Sequence, residues 1–247
     1  MQPPATPNAP DRPKRRSWPA IAAVAVVLVA VALLGLRRLT WQAPTWWADP
    51  APELEQTSVL ADRVEYRLAE EAHKVRPDDG RWWLRIKDEQ VNAWLATRLQ
   101  AWLAHTHGVV WPEALGTPQV HFTDGAINVA LDFEDDGRRR YVVADLAPGI
   151  VDGRLAVVLD GVALGRLRIP GGSLRTLMKT YRDVVPAGFL DDPSVRRVVD
   201  LLVDVDSIDP TLTLADDRRV RVVDLVVREG ELILRCETTL AGNATEQ

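Results

Sequence analysis

From residue 18 to 36 the chain reads WPAIAAVAVVLVAVALLGL, 19 residues without a charge. At 1.5 Å per residue a helix of this length reaches roughly 28 Å, close to the ~30 Å hydrocarbon core of a bilayer. Beyond it the pattern changes repeatedly. Leu60, Val64, Leu68 and Ala72 recur every fourth residue and predict a helix over 54–75. Trp82 to Ile86 (WWLRI) predicts a short strand, and Asp88 is placed to cap a second helix over 89–104. On that helix Val91, Trp94, Leu95, Leu99, Trp102 and Leu103 share one face.

From residue 118 the period becomes two. Val120 and Phe122 alternate with polar residues, Asp124-Gly125 turns, and Ile127, Val129, Leu131 and Phe133 alternate again, which is a hairpin signature. Strands follow over 139–146, 154–160 and 162–169. Two helices are expected over 173–185 and 193–203, then strands over 211–214, 219–228 and 231–236. Turns at Asp152-Gly153 and Glu229-Gly230 repeat the hairpin chemistry of Asp124-Gly125. The connections are local, so the expected fold class is α+β: an N-terminal transmembrane helix, then one curved antiparallel sheet of about seven or eight strands packed with about four helices.

Two strands break the alternation. Strand 219–228 is apolar on both sides around Val222, Val223, Leu225, Val226 and Val227, and strand 154–160 sets Leu155, Val157 and Leu159 against Ala156 and Val158. A strand apolar on both faces must be covered twice, or line something apolar.

Charge refines the organisation. Four basic residues (Arg12, Lys14, Arg15, Arg16) precede the apolar run and two follow it, which by the positive-inside bias leaves residues 1–17 as a cytoplasmic tail and carries the rest outside. A cleaved signal peptide is the competing reading, but the run is long for one and no A-x-A site follows. The expected divisions are a disordered tail over 1–17, an anchor over 18–38, a Pro/Trp-rich linker over 39–53 and an extracytoplasmic domain over 54–247. The expected location is the inner membrane, crossed once. Trp41, Trp46 and Trp47 suit an outer interfacial belt. Setting aside the six basic residues and one acid around the anchor leaves 24 basic and 34 acidic residues, a net of −10 that repels nucleic acid and anionic lipid headgroups, although local basic patches remain open.

Candidate chemistry is sparse. His105 and His107 form the one close histidine pair, short of the three or four ligands a metal needs. Ser173 follows Gly171-Gly172, but no G-x-S-x-G or phosphate loop occurs. Asp204, Asp206 and Asp209 are the grouping to weigh for calcium, although the Gly and distal Glu of an EF-hand loop are missing. Arg138, Arg139 and Arg140 read as a strand-edge device or a phosphate contact. Cys236, the single cysteine, reads as a buried core thiol. No catalytic residue, cofactor or metal is expected.

The segments Ile86-Lys-Asp-Glu-Gln90-Val-Asn92-Ala-Trp-Leu95 and Gly153-Arg-Leu-Ala-Val-Val-Leu-Asp-Gly-Val-Ala-Leu-Gly165-Arg-Leu-Arg-Ile-Pro170, placed after an N-terminal anchor and around a hairpin meander, resemble the YpmS-like family of bacterial single-pass envelope proteins. Asn92 and Pro170 carry most of that resemblance, which spans about 19–239. The Trp-rich linker and the 139–146 strand depart from it. Such a family looks related in architecture to tubular lipid-binding domains, which implies an apolar groove and a role with lipids or lipid-linked envelope polymers. It transfers no catalytic residue.

The expected function is therefore a binding module: an anchored domain holding a lipid or other apolar molecule between sheet and helix. Its expected walls are Trp94, Leu95, Leu99, Trp102, Val157, Leu159, Val223, Leu225 and Val227. The alternative is a non-catalytic scaffold for envelope protein partners. A carboxylate hydrolase is the third and weakest reading.

Overall fold

The computed structural model of the protein describes residues 18–49, 54–76, 80–135, 137–170 and 208–240, with the side chains of 18–27, 107, 135, 169, 170 and 240 outside that description. The chain divides into two compact units, Met1–Arg38 and Leu39–Gln247. The first contributes α1 (Trp18–Leu39), a 22-residue helix. Leu28, Val29, Val31, Leu33, Leu34 and Leu36 are exposed all round it. Among the described residues no helix is long and apolar enough to cross a membrane. The expected helices over 173–185 and 193–203 lie outside the described residues.

The second unit is α+β and antiparallel throughout. Its elements are α2 (Leu54–His73), β1 (Arg81–Lys87), α3 (Asp88–Thr97), α4 (Leu99–Trp102), a π-helical turn (Leu103–His107), β2 (Gln119–Thr123), β3 (Ala126–Asp135), β4 (Arg138–Val151), β5 (Arg154–Leu164), β6 (Leu167–Pro170), β7 (Thr211–Thr213), β8 (Arg218–Arg228) and β9 (Glu231–Leu240). The nine described strands form two sheets, ordered β1-β9-β8-β7 and β2-β3-β4-β5-β6, where the sequence suggested one sheet of seven or eight.

The physical reason for two sheets lies at the edge of β2. Its outward-facing backbone groups are already engaged and cannot pair with another strand. Asn92 on α3 donates from Nδ2 to the Val120 carbonyl at 2.9 Å and accepts from the Val120 N–H at 2.7 Å. Two residues on, the Phe122 carbonyl accepts from Gly230 at 3.0 Å, while the Val227 carbonyl accepts from Gly125 at 3.0 Å. The Asp124-Gly125 and Glu229-Gly230 turns thus hold each other, and the sheets meet at a corner. Into it α3 lowers Val91 and Leu95, which pack with Val120, Phe122, Ile127, Val129, Leu225, Val227 and Leu232.

The helix expected over 89–104 breaks at Arg98, whose φ of −120° leaves the helical region. Its start also differs by one residue: Lys87 is the N-cap and Asp88 the first helical residue, with Gln90 Oε1 accepting from the Lys87 N–H at 2.9 Å. The α2 stripe behaves as expected, with Val64 buried and Ala72 packed beside the cluster of Trp82, Leu214, Val220 and Cys236. Arg218 ends α2 from a distance, donating to the His73 and Lys74 carbonyls at 2.7 and 3.0 Å. A guanidinium is well suited to the orphan carbonyls of a helix C-terminus.

A bulge explains why β8 looked apolar on both faces, whereas on β5 the stretch from Leu155 to Leu159 alternates without interruption. On β8, Val222 pairs with Cys236 and Asp224 with Arg235, so Val223 is extra. Val220 and Val222 before it, and Leu225 and Val227 after it, then lie on one side, because one inserted residue inverts the alternation. On β5 Asp160 is the extra residue between Leu159, opposite Leu146, and Gly161, opposite Asp145.

Residues 39–49, expected as a linker with an interfacial tryptophan belt, lie against the five-stranded sheet. Trp46 and Trp47 pack on Ala130, Val143 and Ala163, small side chains that leave room for indoles. Trp46 stacks on His121 at 5.3 Å and Trp47 meets Tyr141 edge-on at 5.2 Å. Gln119 brackets Ala48, its Oε1 accepting from the Ala48 N–H at 3.1 Å and its Nε2 donating to the Ala48 carbonyl. Arg138, Arg139 and Arg140 open β4 and pair with Asp135, Glu134 and Phe133 on β3, while the β4–β5 register begins only at Val142, so this stretch has a strand partner on one side.

Two predictions follow from this packing. A domain cut at residue 48 loses Trp46 and Trp47. Removing a large packed aromatic costs roughly 3 kcal/mol, so at about 2–4 °C per kcal/mol it should melt roughly 10 °C below one that begins at Leu39. Equal melting temperatures would show that the segment adds nothing to the fold. Separately, Asn92→Ala should cost about 2 kcal/mol in urea unfolding, and Asn92→Asp at least as much, because a carboxylate cannot donate to the Val120 carbonyl. An unchanged midpoint for Asn92→Asp would sink the clasp.

Candidate functional site: an apolar face on β4 and β5

Directly opposed residues of an antiparallel pair share a face. On β4 and β5 the register gives five consecutive rungs: Val142 with Leu164, Ala144 with Val162, Leu146 with Leu159, Pro148 with Val157, and Ile150 with Leu155. All ten side chains are apolar. None is fully buried, and Leu159 is 40% exposed. The rungs run for roughly 26 Å at about 3.3 Å per residue.

The other face of the same sheet is covered from Tyr141 to Asp145 and open again at Val151 and Val158. Tyr141, Val143 and Asp145 alternate with the rung residues and are buried. Trp46 and Trp47 cover Val143 and Ala163, and Arg168 pairs with Asp145 at 2.7 Å. The larger aliphatic side chains are thus on the open side and the smaller ones under the tryptophans.

Cover on the open side is partial. At the β3 end Trp111 and Leu115 pack with Phe133, Leu131 and Val142. On the corner side α3 covers Ile127 and Val129. Ala144, Leu146, Val162, Leu164, Val157 and Leu159 belong to none of the buried clusters formed by the described residues. Two basic residues of β4 share this face by alternation, half-buried Arg140 opposite Phe133 and Arg138 opposite Asp135, both beyond the Val142 rung.

The nine wall residues read from the sequence divide five ways. Val157 and Leu159 stand on the open face. Leu95, Leu225 and Val227 are packed in the corner core. Val223 is the β8 bulge residue. Leu99 packs with Leu103, Val109 and Trp111. Trp94 meets Trp102 at 6.0 Å and donates from Nε1 to Glu65 on α2 at 2.8 Å, so these two indoles border the helix pair. No single groove between α3 and the sheet gathers them.

The residues missed are on β4. Val142, Ala144, Leu146, Pro148 and Ile150 alternate through the strand, which runs to Val151 where the sequence suggested an end at 146. Past Leu146 no β3 residue pairs with β4, and a proline is tolerated where no ladder bond is required.

Polar groups elsewhere are structurally engaged. His121 has Asp88 at 3.2 Å on Nδ1 and Glu229 at 3.4 Å on Nε2, with Trp46 on its ring, so carboxylates face both nitrogens. His105 Nδ1 lies 2.7 Å from the Ala101 carbonyl. Among the described residues no three His, Cys, Asp or Glu side chains could hold a metal ion, and of the proposed aspartate group only Asp209 is described. Burial raises the Asp132 carboxyl above its usual range, against the pull of Arg139 at 3.3 Å. The Asp216 carboxyl is lowered, chiefly by the hydrogen bond from Arg218.

Cys236 is 2% exposed, and burial raises its thiol to about 11, partly opposed by Arg76. The unfolded thiol ionises near its ordinary value of 9.0. The stability it contributes is therefore whole below that pH and is lost as pH climbs through about 11. Urea midpoints of the native chain should fall more steeply across this window than those of Cys236→Ala. Parallel declines would contradict the buried neutral thiol.

No protein-family model and no curated protein matches this chain in sequence.

Proposed function

We propose that this protein is a membrane-anchored, extracytoplasmic binding module that holds a lipid or other apolar envelope molecule on the open face of β4 and β5, and carries out no reaction of its own. The observation that carries this reading is the inversion of cover on one sheet. Ten aliphatic positions in register are half-buried or, at Leu159, exposed, while the small side chains Val143 and Ala163 behind the upper rungs lie under two tryptophans. Contiguous apolar surface on this scale marks a site that something covers.

The anchor rests on the uncharged run over 18–36, on α1 extending through it, and on large aliphatic side chains exposed on every side of that helix. Four basic residues ahead of the run favour a cytoplasmic N-terminus and an outer domain. The resemblance to YpmS-like envelope proteins points the same way at the level of fold alone.

A scaffold for envelope protein partners is the second reading. Val151 and Val158, on the reverse side of the same arm, are 58% and 60% exposed, and would suit a protein surface better than a chain-like ligand.

The test is native mass spectrometry of an exported 39–247 domain purified without detergent, followed by lipid analysis of an organic extract. A bound species of lipid mass is expected. Leu146→Glu and Val162→Glu should abolish it with little loss of stability, because both positions are half-exposed. A bare mass with no uptake of offered lipid, or unaltered binding in both variants, would defeat the reading. Leu225→Glu should instead unfold the domain, since it buries a charge in the corner core.

A further inference from the structure

The four-stranded sheet has an outer face that the β4–β5 reading leaves unused. On its inner face Trp82, Val220 and Cys236 form one core cluster and Val227 belongs to another, with Ala72 of α2 packed against the first. The register fixes what lies on the opposite side, because directly opposed residues share a face and successive residues change it. β1 presents Arg81, Trp83, Arg85 and Lys87 there, all exposed. Beside them β9 presents Glu237, Arg235, Ile233 and Glu231. β8 completes the rows with Arg219, Arg221, Asp224, Val226 and Arg228, all exposed. The five rows run for roughly 26 Å at about 3.3 Å per residue, across a width of roughly 10 Å from β1 to β8.

Charge on this face runs against the rest of the domain. Seven basic side chains stand with three acidic ones, a net of +4, on a chain that beyond its anchor is net −10. Part of the charge is engaged. Arg81 pairs with Glu237 at 2.8 Å, Lys87 with Glu89 at 3.4 Å, and Arg221 donates to the Gly153 carbonyl at 3.0 Å. Among the described residues no carboxylate lies within ion-pairing distance of Arg85, Arg219, Arg228 or Arg235. Trp83 stands in the middle row, 55% exposed, with the Arg235 guanidinium 5.3 Å from its ring centroid.

We infer that this face binds a linear acidic polysaccharide, with Arg85, Arg219, Arg228 and Arg235 on its carboxylates and a sugar ring stacked on Trp83. The inference is independent of the β4–β5 reading, because the two faces belong to different sheets. Guanidiniums bind carboxylates bidentately, and the apolar C–H side of a sugar ring covers an exposed indole. Other anionic partners fit less well. A phosphate-only polymer has nothing to cover the indole. A bilayer surface is flat, whereas adjacent strands turn by about 20°, so a plane meets only part of the rows. Nucleic acid sets a negative charge at every ~1.7 Å of duplex and is repelled by the acidic remainder of the domain. A polymer with one carboxylate per sugar is repelled far less.

The experiment holds the full chain in a non-ionic detergent and follows the fluorescence anisotropy of a labelled oligogalacturonate. Binding is expected, weakening as salt rises, and neutral dextran should not compete. Arg85→Gln combined with Arg228→Gln should lower the affinity about tenfold, the scale of two exposed charge-assisted contacts. The melting temperature should stay unchanged, since both side chains are exposed and unpaired. Trp83→Ala should lower the affinity about fivefold while leaving that for inorganic polyphosphate as it was. No binding of oligogalacturonate, or equal competition by dextran, would overturn the inference. So would stronger competition by polyphosphate, by a thymidine oligonucleotide or by phosphatidylglycerol added to the micelles, each of which reassigns the face to another anion. Unchanged affinity in the double arginine variant would overturn the placement on this sheet, and in Trp83→Ala it would overturn the sugar contact.

Discussion

The closed edge of β2 is the constraint on which the rest of the domain depends. An antiparallel edge with free N–H and C=O groups invites another strand, and β1 or β8 would serve. Here Asn92 takes both groups of Val120 and Gly230 takes the carbonyl of Phe122. A side-chain amide imitates the backbone it displaces, so the helix is fastened to the sheet as a strand would be. Two sheets then meet at a corner, and the corner is deep enough for Val91 and Leu95. Gln90 fixes where the helix begins, with Asn92 two residues later. The short sequence from Ile86 to Leu95 is thus a structural unit: strand, cap, clasp and knob.

Most elements could be read from the chain because their signals are local. The turns at Asp124-Gly125, Asp152-Gly153 and Glu229-Gly230 each combine an acidic residue with a glycine at positive φ, and each joins the strands expected beside it. Other features depended on pairing, which a sequence does not display. Val223 and Asp160 look like ordinary strand residues, yet each is unmatched and inverts the alternation. An inverted alternation, averaged over a strand, looks like a strand apolar on both faces. The inference that β8 must be covered twice came from that averaging, and it placed Leu225 and Val227 beside a ligand when they belong to the core. For β5 the same pattern led to Val157 and Leu159, which do stand on an open face, although the helix expected opposite them packs elsewhere.

The tryptophans show how composition misleads about place. Three indoles beyond an apolar helix suit an interfacial belt, and nothing in their spacing marks Ala130, Val143 and Ala163, far along the chain, as the seat of Trp46 and Trp47. Small residues in strands are usually read as weak core. Against an indole they are complementary to it, since a larger side chain at Ala130, which is fully buried, would lift Trp46 and Trp47 off the sheet. Once 39–49 lies there, the five-stranded sheet has one face spoken for before any other element arrives.

That assignment bears on function more than any single side chain does. A sheet with two apolar faces has to allot its covering elements, and here the indoles lie over the smaller residues. Were the domain selected for compactness alone, the bulkier stripe from Val142 to Ile150 would repay cover most, since burial stabilises by about 25 cal/mol per Å² of apolar area. Among the described residues that stripe is half-covered, while the cover provided by residues 39–49 lies on the reverse, over Val143 and Ala163. The same segment is hydrogen-bonded at Leu39 to the turn that begins the stripe. One short stretch of chain thus covers Val143 and Ala163 from behind and is held at the turn where the stripe begins. At those rungs the bulkier face is left with less cover than the smaller one behind it, an allotment that compactness alone would not favour.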